Sequence, residues 1–239
     1  MMKFKIHLSF IITSVIFLLS PYQLFYIKLL FAIIIHELGH IIIIKLFKLK
    51  IKSLTLYSFG FIMDIEYYKK TFIKELLIYI FGILFNVIFY LISDTFKEPN
   101  LTLILANLIP LYPLDGYHII NILLDGILPY KKAMYVSSII GLISIIIIAC
   151  FMIFNFDLLF LSTVIYLMYI WYIGYKRIPE SYNNFLINRY TKKEQYKLMK
   201  IDIEKDVLDS FYKYRSIYCI YNNKRIDENE LLTLKYNLN

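Results

Sequence analysis

The sequence predicts a mainly α, polytopic membrane protein with about six transmembrane helices, a β-hairpin insertion and a small α+β C-terminal tail. Three observations predict it. Of the 239 residues 59% are hydrophobic, and the mean hydropathy is +0.62, where soluble domains are about 45–50% apolar. The apolar excess falls in residues 1–175 and is broken into runs near the ~20 residues a spanning helix needs. Lysines crowd into alternate connections between those runs, as topology-setting charges do. Residues 1–175 therefore form the expected membrane domain, and the ordinary charged segment 176–239 forms a cytoplasmic tail.

The spans are expected at about 5–20, 23–45, 71–92, 100–124, 132–154 and 156–175. The first follows Lys3 and Lys5 and resembles a signal peptide. It ends Leu19-Ser20-Pro21-Tyr22 without a small-residue cleavage site, so it is expected to be a retained helix. The 45–74 connection carries Lys45, Lys48, Lys50, Lys52, Lys69, Lys70 and Lys74. The 125–132 loop carries Lys131 and Lys132, and the tail opens with Lys176-Arg177. The opposite connections carry only Lys28 and Lys97, and none lies near Asn155. Both termini are thus expected on the cytoplasmic side.

The net charge of +8 is accounted for by these topogenic lysines, which argues against nucleic-acid binding. Cys150 lies in an apolar run and Cys219 in the tail, so they are expected to be unpaired thiols. Within 45–74, residues 53–66 alternate on both sides of Ser58-Phe59-Gly60, as a β-hairpin does. Such a hairpin is either an amphipathic surface feature or an edge that pairs with an extended peptide.

Chemistry enters the second span at His36-Glu37-Leu38-Gly39-His40. Histidines four apart share a helix face, so both imidazoles can reach one zinc ion, with Glu37 beside them as general base. Ionisable groups at membrane depth are costly and mark function; the bland reading is a polar patch satisfied by neighbouring helices. A catalytic zinc site takes three protein ligands and an open position. Asp115 is the best third ligand. Counted at 1.5 Å per residue, His36 and Asp115 both lie roughly 14–15 Å from the cytoplasmic ends of their spans. Pro110 and Pro113 would break the fourth helix and bend it toward the metal. Asp115 can equally cap the resumed helix, and the two roles can coexist. Asn86 and Asn107 are intramembrane polar groups that either hold substrate backbone and a developing oxyanion or bond helix to helix. His118 is a neighbour of Asp115 rather than an expected ligand.

Three segments together resemble the site-2 protease family of intramembrane zinc metalloproteases. They are the HExxH sequence His36 to His40, the glycine–asparagine stretch Gly82-Ile-Leu-Phe-Asn86, and Asn107 to Gly116, which reads N-x-x-P-x-x-P-L-D-G. Ile83 stands where that family usually has a proline. The resemblance implies that His36, His40 and Asp115 hold Zn2+ and that Glu37 activates water; Asn86, Asn107, Pro110 and Pro113 are the candidates for substrate binding. With six spans and no inserted PDZ module, the chain is similar to the stage IV sporulation protein FB group of that family. That likeness implies a sigma-factor precursor as substrate, regulatory membrane proteins as partners, and a C-terminal CBS-type domain. The tail offers one such motif: a strand near 199–203, a helix near 207–214, strands within 216–225 turning at Asn222-Asn223, and a helix near 228–236. One motif rather than a tandem pair argues against nucleotide binding by a monomer, while homo-oligomers stay open.

The rival from another class is a metal or proton transporter that uses the same His/Asp cluster as a transit site. The chain lacks an internal repeat, and transport gives Glu37 no task.

Overall fold

The computed structural model describes residues 3–57, 60–65, 71–152, 158–192, 196–201, 207–221 and 224–236. The chain is mainly helical. It forms two compact units, one of Met1–Lys69 with Ile73–Leu108, the other of Lys70–Phe72 with Ile109–Asn239.

In the first unit, β1 (Lys3–Ile6) leads into α1 (Leu8–Leu18) and α2 (Gln23–Leu46). Strands β2 (Ile51–Tyr57) and β3 (Gly60–Ile65) follow, then α3 (Phe72–Ile92), a 3-10 turn and α4 (Lys97–Leu108). The first expected span, 5–20, is shortened from its start. Lys3-Phe4-Lys5-Ile6 alternates polar and apolar side chains, and it pairs parallel with β2, Lys3 opposite Ser53 and Ile6 opposite Leu56. His7 then caps α1 by accepting from the Ser9 amide. Eleven helical residues rise only about 16 Å, short of a ~30 Å hydrocarbon core.

Strands β2 and β3 pair antiparallel from Tyr57 opposite Gly60 to Ile51 opposite Ile65, with a register shift between Ile51 and Ser53. The expected turn residues Ser58 and Phe59 lie outside the described residues. The order β1-β2-β3 makes β3 an edge strand. The sheet packs through Ile51, Met63 and Ile65 onto Ile43, Ile44 and Ile78, which anchors it to the end of α2 and the start of α3. Among the described residues, three helices are long and apolar enough to cross a membrane: α2, α3 and the 130–150 part of α6.

The second unit holds α5 (Asp115–Asp125), α6 (Tyr130–Met152), α7 (Leu158–Lys176), α8 (Ile178–Lys192), β4 (Lys197–Lys200), β5 (Arg215–Tyr221), β6 (Lys224–Asp227) and α9 (Glu228–Tyr236). The expected fourth span, 100–124, is thus two helices, α4 and α5. Pro110 and Pro113 interrupt it, because proline supplies no N–H and clashes with the preceding turn. In the tail β4 pairs parallel and β6 antiparallel with β5. Val207–Ser210 is a 3-10 turn where a longer helix was expected, and Asn155, Asn222 and Asn223 lie outside the described residues. Helix α8 was not expected at all. Its buried Ile178, Tyr182, Leu186 and Arg189 follow the 4-4-3 spacing of one helix face, and the first three pack with Met134, Phe211, Ile217 and Leu232 in one core.

Candidate metal centre and active site

Helix α2 brings His36, Glu37 and His40 into its apolar length, with relative exposures of 6%, 7% and 6%. The two imidazoles are oriented from behind. His40 Nδ1 lies 2.7 Å from the Ile78 carbonyl, which can only accept, so Nδ1 carries the hydrogen. His36 Nδ1 lies 2.7 Å from Asn86 Oδ1. In neutral rings, hydrogens at both Nδ1 positions leave lone pairs on both Nε2 atoms, which stand 3.0 Å apart. Two acceptors at that distance repel unless a cation stands beside them, so the arrangement suits a metal ion.

Two glycines permit it. A Cβ on Gly39 would meet the Phe81 carbonyl oxygen at 2.3 Å, so only glycine lets α2 and α3 approach this closely. A Cβ on Gly82 would lie 2.4 Å from His40 Nε2 and 2.9 Å from His36 Cε1, so Gly82 hollows the space for the rings. The sheet supplies a third element: the Phe61 amide of β3 donates to Glu37 Oε1 at 3.3 Å.

Asn86 is fully buried. Beyond His36, its amide nitrogen donates to the Ala32 carbonyl at 3.0 Å and to Asn100 Oδ1 at 2.8 Å. Its polar atoms are therefore committed inside the protein, where a substrate contact had been one of two expectations. Asn107 donates to the Leu103 carbonyl of its own helix at 3.1 Å. Asn100, Phe61 and the Ile78 carbonyl were missed. A buried asparagine at the start of an apolar stretch was a readable signal, while a backbone amide and carbonyl leave none.

In the second unit Asp115 opens α5 and is 7% exposed. Leu114 occupies the N-cap position, so Asp115 is the first helical residue rather than the cap. A carboxylate in the first turn faces the positive end of the helix dipole. Pro110 and Pro113 lie in the 109–114 break, where a Cβ on Gly141 of α6 would come 2.7 Å from the Pro110 carbonyl oxygen. His118 stacks edge-on with Tyr112 and Tyr117. His36 and His40 of the first unit and Asp115 of the second are each buried and each of a type that ligates metal ions. Two imidazole nitrogens and a carboxylate oxygen are donor types that suit zinc.

Residues 24–97 match the model of Peptidase family M50. The chain is 25% identical over 222 residues to stage IV sporulation protein FB of Bacillus subtilis (strain 168), covering 85% of this chain and 77% of that protein. It shares its fold with a site-2 protease from Methanocaldococcus jannaschii, at a TM-score of 0.55 and 22% identity, over 72% of this chain and 90% of the other. These likenesses support a metallopeptidase similar to Peptidase family M50 and to a site-2 protease.

Proposed function

We propose that this metallopeptidase is an intramembrane zinc protease that hydrolyses a peptide bond of a membrane-associated protein from the cytoplasmic side. One observation carries the reading. Two imidazoles at helical spacing, inside a helix apolar enough to span a bilayer, are each fixed at Nδ1 and turn their Nε2 atoms together. His36, His40 and Asp115 hold the metal in this reading, and Glu37 is the general base. Zinc, when bound, polarises the scissile carbonyl and lowers the pKa of water to about 7.

The chain's own residues do the rest. Glu37 takes the proton of the attacking water on its carboxylate and returns it to the leaving amine nitrogen. The Phe61 amide holds Oε1, and Oε2 is assigned to proton exchange. Because β3 is an edge strand, an extended peptide that pairs with it runs toward Phe61 and hence toward Glu37. Such pairing also solves a problem of access, since a substrate helix hides its amides in its own hydrogen bonds. The break at 109–114, kept non-helical by Pro110 and Pro113, is assigned to the substrate backbone in preference to Asn86 and Asn107.

The lysine pattern supports both termini on the cytoplasmic side, with the first of the six expected spans shortened and the fourth broken. Similarity to stage IV sporulation protein FB supports a role in sporulation, with a sigma-factor precursor as substrate and membrane proteins as regulators. The tail sheet and α9 are the framework for a single CBS-like motif.

The test is Glu37→Gln, co-expressed with a membrane-tethered sigma-factor precursor. Cleavage is expected to fall by ~10²–10⁴-fold with zinc content unchanged. Undiminished cleavage overturns the mechanism, and metal flux into vesicles without proteolysis would support the transporter instead.

A further inference from the structure

Asn100 lies on α4, fully buried, and touches neither histidine nor Glu37 in any bond described above. Its place becomes clear when the polarity of the amide chain is followed. Asn100 Nδ2 donates to the Phe96 carbonyl at 2.8 Å. That carbonyl can only accept, so the Asn100 oxygen must face Asn86. Asn86 Nδ2 donates to that oxygen and to the Ala32 carbonyl, a second group that can only accept. The Asn86 oxygen must therefore face His36, and His36 must carry its hydrogen on Nδ1. Two backbone carbonyls, Phe96 on one side and Ala32 on the other, thus fix the tautomer of His36 through two carboxamides.

We propose that Asn86 and Asn100 are positioning residues that hold His36 as the Nδ1–H tautomer, with its Nε2 lone pair available to a metal ion. The inference rests on reading His36 as a metal ligand. Its physical basis is rotational. An Asn amide turns about a broad, two-fold torsion, and a flipped Asn86 would offer His36 an N–H. That would move the ring hydrogen to Nε2 and close the ligand atom. Ala32 alone holds one N–H of the amide, and Asn100 holds the other, so that both donors are engaged on the side away from His36. Groups that orient a ligating histidine in this way change metal affinity by about 10–100-fold when removed.

The experiment is metal affinity of the full chain in detergent, by competition between zinc and a chelator and by the visible spectrum of the cobalt(II) form. The variants are His36→Ala, Asn86→Leu, Asn86→Asp, Asn100→Leu and Asn100→Asp. Asn86→Leu is expected to weaken zinc by ~10–100-fold and Asn100→Leu by about tenfold, each with a shifted cobalt spectrum. As neutral carboxylic acids, which their burial favours, Asn86→Asp keeps an oxygen toward His36 and Asn100→Asp keeps one toward Asn86, while the O–H of each replaces an amide N–H toward a backbone carbonyl. Both are expected to restore near-wild-type affinity, which also serves where a leucine variant fails to fold. Aspartate variants that bind as weakly as folded leucine variants overturn the proposal. So do leucine variants that bind zinc like wild type yet lose kcat, since that is the signature of contact with substrate. Unchanged zinc affinity in His36→Ala would instead overturn the ligand reading beneath it.

Discussion

Gly82 shows at the residue scale how the site depends on a missing atom. Gly→Ala in an exposed helix normally gains up to about 1 kcal/mol. Here the new methyl would lie 2.4 Å from His40 Nε2, so the ring must turn away from its bond to Ile78. Gly82→Ala is expected to retain its helix content while losing bound zinc and at least tenfold in peptidase rate, read by metal analysis beside an activity assay. Gly39→Ala meets backbone rather than a side chain, at 2.3 Å from the Phe81 oxygen, and is expected to lower the melting temperature instead. The ionisable residues of the candidate site were legible in the sequence because a histidine, glutamate or aspartate in an apolar run has few structural excuses. Asn86 was legible as a polar group but not in its partners, which come from Ala32 and Asn100. Those partners are set by how α3 and α4 meet α2, and no local spacing encodes that.

Elements were legible in proportion to their length. The spans expected at 23–45 and 71–92 correspond to α2 and α3 within a residue or two, because a long apolar run has one stable form in a bilayer. The start of the first span failed for the opposite reason. Four alternating residues carry a weak signal, and only the partner strand β2 makes them β1. Helix α8 was hidden by its charge, although its buried face was written at helical spacing. The edge strand permits a test at this scale. Phe61 turns its amide away from β2 to Glu37, and by antiparallel alternation Met63 also turns its amide outward. Met63→Pro, compared with Met63→Ala to match the packing lost against Ile43, Ile44 and Ile78, removes an outward N–H while sparing the pairing with β2, a place where edge strands tolerate proline. It is expected to raise KM for an extended peptide substrate with zinc retained. Ile62→Pro, on the paired side, is expected to unfold the hairpin. Equal KM in Met63→Pro and Met63→Ala would remove β3 from substrate binding.

Across the second unit, polar groups join the tail to the helices that precede it. Lys213 pairs with Asp125 at 2.9 Å, with side-chain exposures of 7% and 0%. Asn121 donates to the same carboxylate oxygen at 3.1 Å, and Ser137 of α6 donates to Asn121 at 3.0 Å. Arg189 of α8 binds Glu228 of α9 and the carbonyls of Tyr212, Lys213 and Arg215. Met134 of α6 shares a core with Phe211, Ile217 and Leu232. Polar satisfaction and apolar burial thus act on the same boundary, between α5–α6 and the tail. A buried pair of this kind adds little over an apolar replacement, but breaking it strands a charge at a cost of ~3–5 kcal/mol. Lys213→Met is therefore expected to lower the unfolding temperature sharply and to expose the tail to limited proteolysis. The double variant Lys213→Met with Asp125→Leu removes both charges and is expected to recover most of the loss. If the double variant is no more stable than Lys213→Met, the loss comes from packing around the lysine stem rather than from the stranded carboxylate. Since α5 runs from Asp115 to Asp125, the same pair of variants should also be scored for zinc. A fall in affinity that the double variant reverses would show that the tail helps to set the candidate ligand at the other end of that helix.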